Sequence, residues 1–347
     1  MTANNNQPAD NKETPKRRSH PSLTIITIAA MLLIGAVIIF LDRKEVVQLE
    51  GKANWSYLAI ALGFVAASYL LSAISTVVML RIFGVKYDKS YLLRVGFVSN
   101  VLSNLIAIPA AVALRLLVLG RHGVTQSQNI GASLLLSYFK NLVFFILIPL
   151  GLIYIIFSYP LVFGGVAAMI LIIFILITGI AVATFIMFND RVRAAILKIA
   201  GRVWHFITRR SIEPALNNFR DAVFQGITEL KHKPKSALLL AGLIIGDVAA
   251  MIAGLDFCFK ALAIPVHLGV LITGFNFGIT LTVISFIPGD LGVQEASIAG
   301  ILAIFGVPFS QGILASILFR VLYYFVPFVI SLGFYWSLLK ETNSKMP

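Results

Sequence analysis

Two carboxylates, Asp290 and Glu295, lie in a glycine-broken segment between long apolar runs. Backbone polar groups within a bilayer need partners, so proline and paired glycines at that depth indicate contact with protein or water. Ionisable residues in such surroundings commonly mark a pathway or a binding site. The segment is therefore the first candidate functional site. The residues that break the helix there are Pro288, Gly289 and Gly292.

Two arginines, Arg115 and Arg320, also lie in or beside apolar sequence. An arginine does not deprotonate in a protein, so each guanidinium needs an anion. That anion is either Asp290 or Glu295, or it is a lipid phosphate held bidentately. The two interpretations are compatible if a substrate displaces the internal carboxylate. A structural ion pair that holds the broken helix together is the alternative.

Other polar positions interrupt the apolar sequence elsewhere. Asn104 precedes Pro109, a second helix-breaking position. Asp247 lies about three turns into an apolar run, where it either faces a central cavity or has a structural role. Asp256 and Lys260 are four residues apart, a spacing that favours a structural ion pair on one helix face.

The sequence favours no enzyme mechanism. It contains no HExxH, GxSxG or GxxxxGK[ST] motif. Asp290 and Glu295 are five residues apart, which places them on diverging faces of a continuous helix. The lone Cys258 excludes an internal disulfide, and the five histidines are scattered without ligand spacing. We therefore predict no catalytic residues, no metal site and no cofactor.

Composition assigns the chain to the membrane. Its 347 residues are 59% hydrophobic and 12% charged, with a mean hydropathy of +0.91. Long continuous apolar runs indicate helices rather than a barrel of short alternating strands. The net charge of +13 is concentrated near residues 16–18 and 191–235. Basic clusters beside spans set orientation and bind anionic headgroups, so we expect no nucleic-acid partner.

The predicted fold is an all-α polytopic membrane protein with about seven to eight transmembrane helices and two re-entrant helical segments. The strong spans are approximately 23–41, 55–80, 127–157, 160–188, 236–262, 267–287 and 310–338. Two further hydrophobic segments, 91–119 and 289–306, are interrupted by polar residues. Whether the second of these crosses fully is left open.

Charge asymmetry predicts the topology. The N-terminal tail, the loop 81–94 and the stretch 189–235 are rich in Lys and Arg, so all three should face the cytoplasm. This requires 91–119 to enter and leave on one side, as a hairpin broken near Pro109. The stretch 189–235 has the pattern of basic amphipathic interfacial helices, either a solvated connector or a lipid-recognition surface.

The domain boundaries follow from these patterns. Residues 1–22 form a disordered cytoplasmic tail, 23–340 form one transmembrane domain, and 341–347 form a short tail. Because the chain ends just after the last span, we expect no cytosolic domain after it.

One extended motif resembles a known family. Residues 288–296, followed by Gly306-Val307-Pro308 and by Arg320, resemble the C-terminal signature of the lysylphosphatidylglycerol synthase transmembrane, or flippase-like, family. The family pattern there is Pro-Gly-Gly-Leu-Gly-Val-Arg-Glu-Ala. Asp290 replaces its second glycine and Gln294 its arginine. The N-terminal half is similar through Asn104, Pro109 and Arg115, so that the resemblance covers about residues 23–340.

The resemblance implies a non-enzymatic lipid flippase of the bacterial inner membrane, with a cytoplasmic N-terminus and a phospholipid or lipid-linked headgroup as substrate. The implied substrate-binding residues are Arg115, Asp290, Glu295, Arg320, Asn104 and Asp247. One alternative is an intramembrane transferase with Asp290 or Glu295 as base. Another is a non-catalytic subunit of an envelope-synthesis complex that docks through 189–235. Association into a homo-oligomer is also left open.

Overall fold

The computed structural model describes residues 53–105, 108–120, 123–160, 163–209, 213–285 and 292–344. Every regular element in these ranges is helical, which confirms the predicted all-α polytopic class. The predicted first span, 23–41, and the predicted tail, 1–22, lie outside the described residues.

The described part contains twelve α-helices and one π-helical turn. In chain order, the α-helices are α1 (Trp55–Ile82), α2 (Lys89–Leu105), α3 (Ile108–Gly120), α4 (Gln126–Ser158), α5 (Phe163–Phe188), α6 (Asp190–Thr208), α7 (Glu213–His232), α8 (Pro234–Ala261), α9 (Leu268–Ser285), α10 (Val293–Ile304), α11 (Phe309–Arg320) and α12 (Val326–Ser344). The π-helical turn, Val321–Phe325, joins α11 to α12.

Five helical stretches are long and apolar enough to cross a membrane. They are α1, α4 from Gln128 onward, α5, α8 and the continuous stretch Phe309–Leu338. Helix α5 is apolar all round and has no buried residue, so its side chains are suited to lipid rather than to water. These helices make the chain a multi-pass membrane protein.

The centre of the bundle is the antiparallel pair α1 and α8. Gly254 on α8 approaches Ala61 and Val65 near the start of α1, and Gly246 approaches Leu71 further along it. The two helices are thus in close contact over about three turns. Because α1 and α8 are central, polar side chains at the midpoints of these helices lie inside the bundle, away from both membrane surfaces.

Helices α9 and α10 form a short antiparallel hairpin, because Gly274 lies against Ile298 and Gly278 lies against Gln294. Helix α9 begins one residue inside the predicted span 267–287, and residues 286–287 of that span lie outside the described residues. Helix α10 has 12 residues and a length of about 18 Å, less than the ~30 Å hydrocarbon thickness. Helix α10 therefore does not cross the bilayer alone.

Helices α2 and α3 form the counterpart in the N-terminal half and pack against each other. With 17 and 13 residues, they are about 26 Å and 20 Å long, each shorter than the ~30 Å hydrocarbon core. Pro109 lies in the first turn of α3, where proline is tolerated because the missing N–H has no helical acceptor. The packing of α2 against α3 agrees with the predicted hairpin, and residues 106–107 between them lie outside the described residues.

The predicted amphipathic segment 189–235 forms α6 and α7, and the two differ in packing. Helix α7 buries Ala222 and Val223 against the bundle. Helix α6 instead exposes apolar residues on its surface, including Ile199 and Phe206. Exposed apolar side chains on a basic helix that directly follows a lipid-facing span are suited to the membrane interface.

The contact between α10 and α11 provides a test of the packing. A methyl group at Gly312 would lie 2.8 Å from the Ala299 Cα, and that backbone atom cannot move aside alone. We expect Gly312→Ala to cost about 1–3 kcal/mol through overpacking and to lower the melting temperature of the detergent-solubilised protein.

The matched control is Gly333→Ala in α12, where an added methyl group has no neighbour within 4 Å among the described residues. There alanine should be neutral or stabilising by up to ~1 kcal/mol through helix propensity. Equal melting temperatures for the two variants would contradict the close approach of α10 and α11.

Candidate functional site

A polar cavity of about 200 Å³ lies among α1, α2, α3, α4, α8 and α9. Lys140 is near the middle of the 33-residue α4, and Asp247 is at the middle of the 28-residue α8. Because both helices are long enough to span the bilayer, the cavity lies near mid-membrane depth. The described polar residues that line it most prominently are Asn100, Asn104, Arg115, Lys140, Asp247 and Tyr324.

An ion pair between Lys140 and Asp247 forms one wall of the cavity. The Lys140 Nζ lies 2.9 Å from the Asp247 Oδ2, and the Ser68 hydroxyl donates to the Asp247 Oδ1 at 2.5 Å. Asp247 is almost fully buried, whereas Lys140 keeps part of its side chain exposed towards the cavity. Both carboxylate oxygens are therefore occupied, as a buried carboxylate requires.

Arg115 on α3 contributes the other buried cation. Its Nη2 donates to the Ser133 hydroxyl at 2.7 Å, and that hydroxyl donates to the Asn129 carbonyl at 2.6 Å. The Arg115 Nε is buried and has no hydrogen-bond partner within the described ranges. Arg115 is 5% exposed, and the one hydrogen bond of its guanidinium to a described residue goes to a neutral hydroxyl. A buried cation in this position is suited to an anionic ligand.

A chain of hydrogen bonds connects Asn104 to the centre of the bundle. The Asn104 amide donates to the Tyr69 hydroxyl at 3.1 Å, and that hydroxyl donates to the Tyr323 carbonyl at 2.9 Å. Tyr323 lies within the π-helical turn, where the wider winding leaves a carbonyl available to a side chain. Asn104 is thereby held in orientation at the edge of the cavity.

A second cluster of charges lies at the start of α10. The Arg320 Nε lies 2.5 Å from the Glu295 Oε1, and the Gly292 N–H donates to the Glu295 Oε2 at 2.9 Å. Gly292 has a φ of +81°, in the left-handed region that favours glycine. Glu295 therefore caps the helix that begins after the break and at the same time neutralises Arg320.

Tyr324 joins this cluster to the cavity. Its ring lies under the Arg320 guanidinium, with the Arg320 Cζ 5.1 Å from the ring centroid, and Tyr324 also lines the cavity. The Gln294 Oε1 accepts from the Arg320 Nη2 at 3.3 Å and from the Tyr324 hydroxyl at 3.5 Å. Tyr324 therefore contacts Arg320 and also lines the cavity.

The structure divides the predicted site residues between these two places. Asn104, Arg115 and Asp247 line the cavity, and Glu295 and Arg320 form the adjacent pair. Asp290, Pro288 and Gly289 lie outside the described residues. The substrate-binding role of these residues stays a prediction. The predicted Asp256–Lys260 ion pair is confirmed at 2.7 Å.

Sequence reasoning did not assign Lys140 and Tyr324 to the site. Lys140 is a lone cation in a long apolar run, a costly position that by itself does not identify its partner. It lies 107 positions from Asp247, so only the packing of α4 against α8 brings the charges together. Tyr324 had no distinguishing signal among the aromatic residues of the last span.

The fold and this polar interior define a multi-pass, all-α membrane protein with a charged cavity inside its bundle. A family model described as the lysylphosphatidylglycerol synthase TM region matches residues 26–331. The chain belongs to this family, as the resemblance of residues 288–296 indicated. No curated protein matches the chain significantly.

The Arg320–Glu295 pair can be tested through stability. Both side chains are mostly buried, at 13% and 8% exposed, and removal of one partner from a buried pair typically costs ~3–5 kcal/mol. We expect Glu295→Ala to lower the melting temperature strongly, because it removes both a helix cap and a counter-charge.

Glu229→Ala is the matched control for this variant. Glu229 pairs with Lys233 at 2.8 Å on the surface of α7, where an ion pair contributes ~0–1 kcal/mol. If Glu295→Ala were no less stable than Glu229→Ala, the structural role of the buried pair would be refuted.

Proposed function

We propose that the protein is a lipid translocase, which moves a phospholipid or lipid-linked headgroup across the membrane through its central cavity. Family membership supports this proposal, since the family description refers to the membrane region of a lipid-related protein. The chemistry of the cavity supports it further, because a polar chamber at mid-membrane depth offers a headgroup an environment that hydrocarbon does not.

The observation that supports the proposal most strongly is the burial and incomplete hydrogen bonding of the Arg115 guanidinium. It is buried, it lines the cavity, and its Nε has no partner within the described ranges. An arginine fork matches the oxygens of a phosphate, and each such contact would be a charge-assisted hydrogen bond. A lipid phosphate in the cavity would supply the counter-charge that Ser133 does not.

The Arg320–Glu295 pair has a different role in this proposal. Because Arg320 already contacts the carboxylate that caps α10, it acts as a support for the broken helix. A headgroup phosphate that bound Arg320 would have to displace Glu295. The first contact of the lipid is therefore with Arg115.

We also propose the bacterial inner membrane as the location, with a cytoplasmic N-terminus and cytoplasmic α6 and α7. The basic side chains of α6 and α7 support this orientation, because segments rich in Lys and Arg remain on the cytoplasmic side.

Arg115→Gln tests the assigned site. The substitution keeps a polar side chain but removes the charge, and a hydrogen bond to a charged group contributes ~1.5–3 kcal/mol. We expect the initial rate of translocation to fall roughly 10- to 100-fold in proteoliposomes. The measurement is the protection of a fluorescent phospholipid from a membrane-impermeant quencher.

Arg220→Gln is the control for this loss of charge, because Arg220 lies on the exposed surface of α7 beside Asp221. It should translocate at the wild-type rate. Equal rates for Arg115→Gln and the wild type would remove Arg115 from the pathway, and a rate no higher than that of protein-free vesicles for the wild type would refute the translocase.

Single cysteines test the orientation. Lys198→Cys on the exposed face of α6 should react with an impermeant maleimide only from the cytoplasmic side, and His267→Cys beyond the far end of α8 only from the opposite side. The native Cys258 is buried and should stay silent. Labelling of both positions from one side would contradict the proposed topology.

A further inference from the structure

The charges on the cavity wall indicate which charge of headgroup the cavity favours. Within the described ranges, the ionised side chains that line the cavity are two cations, Arg115 and Lys140, and one acid, Asp247. Two positive charges and one negative charge leave the described wall with a net charge of +1. In a medium of low dielectric constant, such an excess favours a ligand with one negative charge.

Asp247, the acid of the described cavity wall, already has partners for both of its carboxylate oxygens. The two carboxylate oxygens of Asp247 contact the Lys140 ammonium at 2.9 Å and the Ser68 hydroxyl at 2.5 Å. A ligand ammonium group would therefore have to displace Lys140 from Asp247, and the displaced lysine would remain as a second cation beside it. A cationic or zwitterionic headgroup is disfavoured for this reason.

The unsatisfied groups of the same wall are hydrogen-bond donors. The Arg115 Nε and the Asn100 Nδ2 are both buried and have no acceptor within the described ranges. Both residues line the cavity, Arg115 from α3 and Asn100 from α2. Buried donors without acceptors are costly, so a ligand that brings several acceptor oxygens relieves both.

The size of the cavity limits what can accompany the phosphate. The volume of the cavity is about 200 Å³. It lies below the ~300–1,000 Å³ of pockets that hold drug-sized ligands. A phosphate with a small hydroxylated substituent matches this volume, and an oligosaccharide exceeds it.

From charge, donors and volume together, we infer that the cavity selects the anionic phosphodiester of a small-headgroup lipid, of the phosphoglycerol type, over zwitterionic and cationic headgroups. The inference rests on the proposed translocase function and names its substrate class. It separates this chain from a carrier of aminoacylated lipid, whose added ammonium would meet Lys140 and Arg115.

The test compares two reporters in proteoliposomes of neutral phosphatidylcholine. Phosphatidylglycerol and phosphatidylethanolamine, each with the same fluorescent acyl chain, are supplied separately, and their initial rates of translocation are measured. We expect the wild type to move the phosphatidylglycerol reporter at least about tenfold faster, a difference of about 1.4 kcal/mol.

Two variants that each remove one positive charge extend the test. Arg115→Gln and Lys140→Gln should both lower the ratio of the two rates towards one, since each reduces the net charge of the described wall to zero. The charge-conserving Arg115→Lys keeps the preference for phosphatidylglycerol, although its total rate falls because the arginine fork is lost. Arg220→Gln leaves the ratio of the wild type unchanged.

Distinct outcomes separate the inference from the function on which it rests. A wild type that moves phosphatidylethanolamine as fast as phosphatidylglycerol overturns the selectivity but keeps the translocase. A wild type that moves neither reporter above protein-free vesicles overturns both. Uptake of radiolabelled inorganic phosphate without lipid movement would assign the anion site to a soluble ion and overturn the lipid.

Discussion

The structure depends on one constraint, which is that charges at mid-membrane depth must be neutralised inside the protein. The Lys140–Asp247 pair meets this constraint between α4 and α8, at the middle of both helices. The Arg320–Glu295 pair meets it again between α11 and α10. The Lys140–Asp247 pair joins helices that are distant in sequence, so charges that are costly in lipid also specify which helices pack together.

Broken helices allow these charges to coexist with a cavity. Helix α10 begins directly after Gly292, which has a positive φ, and α3 and α10 are both too short to cross a bilayer alone. Side chains satisfy backbone groups at two irregular positions: Glu295 accepts from the Gly292 N–H at the start of α10, and the Tyr69 hydroxyl donates to the Tyr323 carbonyl in the π-helical turn. Irregular backbone at this depth is stable because it is surrounded by protein.

Arg115 is the exception to this pattern of neutralised charges. Its one hydrogen bond to a described residue is to Ser133, and its Nε is without a partner in the described part of the chain. Desolvation of a guanidinium costs free energy, and no described residue offsets this cost at Arg115 with a negative charge. A cost of this kind is relieved by ligand binding, and for this reason the cavity, rather than the satisfied Arg320–Glu295 pair, is central to the proposed function.

Gln294 shows how a departure from the family pattern acts in the structure. Where that pattern has an arginine, the Gln294 Oε1 accepts hydrogen bonds from Arg320 and Tyr324. Gln294 is thus a neutral acceptor beside Glu295, the carboxylate that Arg320 contacts. The same Gln294 oxygen also holds the hydroxyl of Tyr324, which lines the cavity.

The sequence by itself determined the class of the protein, the membrane helices within the described ranges, the Asp256–Lys260 pair and the family. These features depend on hydropathy, on local spacing and on contiguous motifs, all of which are properties of neighbouring residues in the chain. It also identified Arg115, Asp247, Glu295 and Arg320 as costly charges. Only the tertiary structure decided their partners. Lys140 meets Asp247 and Ser133 meets Arg115 because of how α3, α4 and α8 pack, and packing between distant helices depends on the shapes of whole surfaces rather than on any local pattern.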